Sequence, residues 1–303
     1  MAGAMAGPGV AGRPGRKVTV PKVAGTKRAA GAEPVVMVTA YDTPFARLAD
    51  EAGVDVVLVG DSVADNVLGF ERTLDVGVDE MVHHTAAVAR ARPRALVVAD
   101  LPWMSYHVDL PTALTSAARL VRAGAEAVKL EGGRRRLPVV RALLDAEVPV
   151  MGHLGLTPQS VHVLGGMRRQ ARTEAEAALL LADAAALAEA GCFAVVLEGI
   201  PDEVAAEVTE AIGVPTIGIG AGPACDGQVL VLHDLLGLGP ADCPPPSFAR
   251  QYASLGDLAR EALGAYAADV RAGAFPGRGA GAPDGTLPAA GAGDGSAPPG
   301  RRR

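Results

Sequence analysis

Short, nearly continuous aliphatic runs alternate along the chain with longer stretches whose apolar residues recur every three or four positions. That pattern predicts buried parallel strands separated by amphipathic helices. The strand runs are VVMVT (35–39), VVLVG (56–60), LVVA (96–99), Ala127–Leu130, VPVMG (148–152), Phe193–Leu197, Pro215–Ile219 and a short Val229–Leu232. Thr43-Pro44 reads as N-cap and first-turn proline of a helix with Leu48, Ala49 and Ala52 on one face and Gly53 closing it. Val78, Met81, Val82, Thr85 and Ala89 keep helical phase, as do Leu114, Ala117 and Val121 within a helix over 111–124. Helices also follow at 137–146, at 202–212 and, last and longest, over Phe248–Ala272. A capping box of Thr173 and Glu176 opens the helix that ends at Gly191. The connection from 152 to 172 has the length of a functional loop or lid.

Eight strand-then-helix units within residues 34–275 match the size of a (β/α)8 barrel, about 250 residues. A doubly wound open sheet is the competing architecture, but it gathers its ligand at one switch point. Here five apolar runs end in polar groups: Asp61 and Ser62, Asp100, Lys129 with Glu131, His153, and Glu198. A closed parallel barrel places all strand C-termini on one face and brings these groups to one mouth.

Composition marks off the two ends. The 303-residue chain is 49% hydrophobic, enough for a large core, yet residues 276–303 hold 13 Gly or Pro and Leu287 as their one large apolar residue. This Gly/Pro/Ala-rich tail is expected to be disordered, as is a basic N-terminal arm over residues 1–33. The arm carries +5 and the tail +2, so the net charge of −6 leaves −13 on the barrel segment. An acidic body argues against a nucleic-acid groove. No apolar segment has the length of a signal-peptide core or a membrane span. Cys192, Cys225 and Cys243 are an odd, widely spaced set that suggests neither a disulfide framework nor a zinc site, and a reducing cytoplasm is the expected compartment.

Hard oxygen ligands at separate strand ends suit Mg2+, so Asp61, Asp100 and Glu131 are the candidate metal set. Each aspartate alone could equally be a loop cap. Lys129 and Glu131 are two apart on one strand and point to one side. Neighbouring acids keep the Lys129 amine protonated, which favours holding an anionic substrate group over Schiff-base chemistry. Glu198, across the mouth, is either a base for proton abstraction next to a carbonyl or a helix cap or ion-pair partner. His153 either orients substrate or is a hydrogen-bonded histidine beneath the long loop; His83-His84, within a helix, read as non-functional. The glycines of GIGAG (218–222) follow a seventh strand and are read as letting backbone approach a ligand.

Together VGDS (59–62), ADLP (99–102), VKLEGG (128–133), GHLGLTPQS (152–160), VLEGIP (196–201) and GIGAG…CDGQVLVLHD (218–234) resemble the ketopantoate hydroxymethyltransferase family over residues 34–275. The resemblance implies a barrel of the phosphoenolpyruvate/pyruvate type in a cytoplasmic homo-oligomer, decameric in several bacterial members. It also implies transfer of a one-carbon unit from 5,10-methylenetetrahydrofolate to 3-methyl-2-oxobutanoate, a step toward pantothenate. By position it implies Asp61, Asp100 and Glu131 for Mg2+; Asp61, Ser62, Asp100 and Lys129 for the oxoacid; and Glu198 as base. Met167, Arg169 and Ala171 depart from the commoner family forms of the lid segment. The alternatives are a Mg2+-dependent 2-oxoacid lyase or aldolase on the same barrel, and a barrel that binds without catalysing.

Overall fold

The computed structural model describes residues 16–27, 31–239 and 245–277. Eight parallel strands close a barrel in sequence order: β1 (Val35–Thr39), β2 (Val56–Val59), β3 (Leu96–Asp100), β4 (Ala127–Glu131), β5 (Val150–Gly155), β6 (Ala194–Glu198), β7 (Thr216–Ile219) and β8 (Gly227–Leu230). The helices are α1 (Val20–Ala24), α2 (Thr43–Glu51), α3 (Val63–Asn66), α4 (Val78–Ala89), α5 (Leu110–Ala123) and α6 (Leu137–Asp145). They continue with α7 (Val161–Leu164), α8 (Glu174–Ala190), α9 (Asp202–Ala211), α10 (Leu232–Leu236) and α11 (Leu255–Arg271). The expected (β/α)8 architecture is therefore present.

Strand alternation sorts the apolar residues into two cores. Val38, Val57, Val97, Val128, Leu130, Val150, Val195 and Leu197 face outward and pack with the helices. The residues between them, Met37, Leu58, Val98, Ala127, Met151 and Val196, fill the barrel interior. Continuing the interior parity one step upward gives Asp100, Lys129, Glu131, His153 and Glu198, so the site is the polar top of the same inward-facing column.

The lower end corrects one expectation. The arm expected to be disordered over 1–33 is ordered at 16–27: Val18 and Val23 are buried with Val35, Val56, Leu96 and Ala127, the first residues of their strands. Val18 donates its amide to the Arg94 carbonyl at 2.7 Å, and Lys27 pairs with the fully buried Asp226 at 2.8 Å. Lys17 donates to the Ala95 carbonyl at 2.7 Å and pairs with Glu126; two valines and two charge-satisfied lysines cover the barrel floor, which a composition average over 33 residues conceals. Residues 1–15 of the arm, residues 278–303 of the tail and Cys243 lie outside the described residues.

Several boundaries also shift. Asp42, not Thr43, caps α2, accepting from the Phe45 amide at 2.8 Å, and Leu48 is 57% exposed because Ala46 and Ala49 make the buried face. β7 reaches β8 through residues 220–226 with no intervening helix. The expected helix from Phe248 begins only at Leu255, since the Tyr252 amide is engaged by the Leu235 carbonyl at 2.8 Å and Phe248 lies against Gly220. The chain divides into two compact units, Met1–Ala253, which holds the barrel, and Ser254–Arg303, which holds α11. No helix among the described residues is long and apolar enough to cross a membrane.

Candidate active site

The strand ends bring the predicted residues into one chain of contacts at the C-terminal mouth. In register, Asp100 of β3 is opposite Lys129 of β4, and Glu131 of β4 is opposite His153 of β5. The Lys129 ammonium pairs with Asp100 Oδ1 at 2.9 Å and lies 3.3 Å from His153 Nδ1. His153 Nδ1 is 3.4 Å from Glu131 Oε1, and its Nε2 is 3.1 Å from Glu198 Oε2. Asp61, in the turn after β2, donates its amide to Asp100 Oδ2 at 3.1 Å. Ser62 stands at the start of α3 with its hydroxyl 2.8 Å from the Tyr41 hydroxyl, at the edge of the cluster.

Gln159 and its partner Tyr106, which the sequence did not single out, order this cluster. Gln159, in the short turn Pro158–Ser160 after β5, is buried. Its amide group donates to Asp61 Oδ2 at 2.8 Å and to the Leu101 carbonyl at 3.0 Å, and its side-chain oxygen accepts from the Tyr106 hydroxyl at 2.7 Å. Its backbone N–H donates to Glu131 Oε2 at 2.9 Å. The 152–172 connection thus reaches back over the mouth and gives a hydrogen-bond donor to each of two mutually repelling acids. Length of the loop was the one cue; a glutamine there is not distinguishable by sequence from a solvated one.

Burial and mutual repulsion set the electrostatics. Burial, then the Asp100 and Glu131 charges, hold the Asp61 carboxyl well above the usual carboxylate range, and Asp100 is raised by burial against the opposing pull of Lys129. Lys129 is raised despite burial because Asp100, Glu131 and Asp61 all favour its charge. Burial and Lys129 oppose a charge on His153, but its contacts with Glu131 and Glu198 outweigh them and push it up to about 9. Its two ring nitrogens lie within ion-pair distance of the two glutamates, while Nε2 has no hydrogen-bond partner in this arrangement.

The donors available to a metal are hard oxygens, and the surplus of buried negative charge at Asp61 and Asp100 is what a divalent cation would offset. In this arrangement no group of three or more His, Cys, Asp and Glu side chains among the described residues is disposed to hold a metal ion. Glu131 is turned toward Gln159 and His153. The chemistry of the set fits Mg2+, while its three acids do not close a ligand shell.

Gly220 and Gly222 of GIGAG line a cleft and are also closely packed. A Cβ on Gly220 would meet the Phe248 ring at 2.7 Å and one on Gly222 would meet Asp202 at 2.5 Å, so both serve internal close packing. His84 Nδ1 is 2.8 Å from the Tyr41 carbonyl, a structural contact.

This geometry can be set beside known proteins. Among solved structures, the fold is similar to that of 2,3-dimethylmalate lyase, a phosphoenolpyruvate mutase/isocitrate lyase superfamily member (TM-score 0.56, 19% identity, 86% of this chain and 90% of that one). It is also similar to phosphonopyruvate hydrolase complexed with oxalate and Mg2+ (TM-score 0.54, 15% identity, 84% and 88%). At such identities the likeness concerns the fold. Sequence relatives are far nearer. The 3-methyl-2-oxobutanoate hydroxymethyltransferase of Methylobacterium sp. is 58% identical over 243 residues, 80% of this chain and 84% of that protein. Those of Moorella thermoacetica and Ignicoccus hospitalis are 56% and 54% identical, over 86% and 87% of this chain and 96% and 98% of theirs. The sequence signature of ketopantoate hydroxymethyltransferase matches residues 17–278, from the ordered floor segment through the barrel and α11, and the chain belongs to that family of transferase enzymes.

Proposed function

We propose that the chain transfers a one-carbon unit from 5,10-methylenetetrahydrofolate to C3 of 3-methyl-2-oxobutanoate, giving 2-dehydropantoate and tetrahydrofolate, with Glu198 as the base. The observation that carries the base assignment is exposure within the acid set. The Glu198 side chain is 15% exposed at the mouth, whereas those of Asp100 and Glu131 are 3% exposed and already engaged. His153 holds Glu198 Oε2, which leaves the other oxygen to take the C3 proton. Lys129 and Ser62 bind the oxoacid carboxylate and orient C3 toward Glu198. Asp61 and Asp100, with Glu131 as the third acid, would hold Mg2+. When bound, the ion supplies Lewis-acid polarisation of the keto group.

Removal of the C3 proton leaves a nucleophilic carbon that forms the new bond to the folate methylene. Both C–N bonds of that methylene break, each electron pair staying on its folate nitrogen; one water supplies the product hydroxyl, and its other proton and the C3 proton go to the two nitrogens. The homo-oligomer and the cytoplasmic setting implied by the family are part of the same proposal.

The test is proton NMR of 3-methyl-2-oxobutanoate in D2O with the Mg2+-supplemented protein. The C3 signal is expected to disappear with wild type, to persist with EDTA, and to persist with Glu198→Gln although that variant still binds the oxoacid. Normal exchange in Glu198→Gln removes Glu198 from the base role, and exchange by wild type without product on adding the folate refutes the transfer.

A further inference from the structure

Beside the acid cluster lies a cleft of about 600 Å3 that shares Glu131 with it. Part of its lining is three successive arginines after the Gly132-Gly133 turn, and they are not equivalent. Arg134 is paired with Asp183, Nε to Oδ1 at 2.6 Å. A Cβ on Gly133 would fall 2.2 Å from that carboxylate, so the glycine allows the pair to close. Arg136 holds its guanidinium carbon 5.6 Å from the centre of the Tyr106 ring, which fixes its position without neutralising it. Arg135 is exposed, and neither it nor Arg136 has a carboxylate partner among the described residues. His107 contributes a buried Nδ1 without a hydrogen-bond partner. Burial, then the Arg136 charge, push its pKa down to about 4, so the ring is neutral and able to bond a ligand. Val163 and Leu179, 89% and 57% exposed, give the same cleft an apolar surface.

The proposed one-carbon donor poses a problem that this cleft solves. Its pterin end must bring the methylene to C3 within a mouth lined by carboxylates, while its glutamyl end carries carboxylates of its own. Like charges repel that end from the mouth, and it needs a cationic exit. Guanidinium forks match carboxylates bidentately, and exposed aliphatics suit the flat benzoyl group before them.

We infer that the cleft is a subsite for the acidic tail of the folate donor, with Arg135 and Arg136 binding its γ-linked glutamate carboxylates and Val163 and Leu179 packing beneath the benzoyl group. The inference rests on the proposed use of a folate as donor.

The test compares 5,10-methylenetetrahydrofolate bearing one and four glutamates, with the full-length Mg2+-loaded protein. For wild type the KM of the tetraglutamate is expected to be roughly fivefold lower, the scale of two partly exposed ion pairs. Salt should shrink that ratio. Arg135→Gln should bring it toward one and Arg135→Glu below one, whereas Arg90→Gln, at the C-terminal end of α4, should not change it. Equal KM values for both donors in wild type, or a ratio indifferent to Arg135→Glu, overturn the subsite while turnover itself upholds the transferase reading. Turnover with neither donor overturns the folate reading and this inference with it.

Discussion

Gln159→Leu tests whether one amide organises the acid cluster. The substitution keeps the approximate volume and the backbone N–H to Glu131, and it removes three side-chain hydrogen bonds, to Asp61, the Leu101 carbonyl and the Tyr106 hydroxyl. The Tyr106 hydroxyl retains the Glu131 carbonyl at 3.3 Å as an acceptor, so its loss is the smallest. A neutral buried hydrogen bond contributes about 1 kcal/mol and one to a charged group about 1.5–3 kcal/mol. The expected cost is therefore about 3–5 kcal/mol at neutral pH, read by urea denaturation of the metal-free protein. The pH dependence is the sharper signature. Asp61 has a folded-state pKa raised above its unfolded value, so between those two values the folded protein binds more protons and its stability falls as pH rises. Gln159 lowers the Asp61 pKa; without it the window widens upward. The deficit of Gln159→Leu relative to wild type should thus be larger at pH 8 than at pH 5. A loss under about 1 kcal/mol, or a deficit equal at both pH values, would refute the role assigned to this amide.

Lys129→Met should cost about 3–5 kcal/mol in the same denaturation assay, since it strands the buried Asp100 carboxylate without its cation, and should abolish C3 exchange. Val23→Ala, at the 1%-exposed floor residue, should cost about 1.5–3 kcal/mol with wild-type KM values, which separates the floor from the mouth. Cys192, whose thiol is pushed up to about 12 by burial, should resist iodoacetamide at pH 8 in the native protein and react in urea, as followed by peptide mass spectrometry.

The barrel was legible in the sequence because its signal is local. Most of the aliphatic runs, β2 to β6 above all, are buried on both faces, and the capping box at Thr173 and the glycine ends at Gly124 and Gly191 lie where expected, both glycines left-handed. Less legible were features whose energy comes from distant partners. Leu48 turned outward because α2 meets its neighbours through alanines, and the helix expected from Phe248 lost its first turns to contacts with Leu235 and Gly220. The basic arm looked featureless on average, although Val18 and Val23 had a barrel floor to cover.

The site divides along the same line. Sequence by itself determined which charged groups sit at the strand ends, because parity along a strand and the parallel closure of the barrel leave them one common face. Tertiary structure alone decided how those charges are shared: Lys129 with Asp100, His153 between Glu131 and Glu198, and Gln159 between Asp61 and Glu131. Those pairings are set by distances of a few ångströms between residues up to 98 apart in the chain, in a buried space where each unpaired charge is costly. No local pattern encodes that arrangement, because its energy exists only once the barrel has closed.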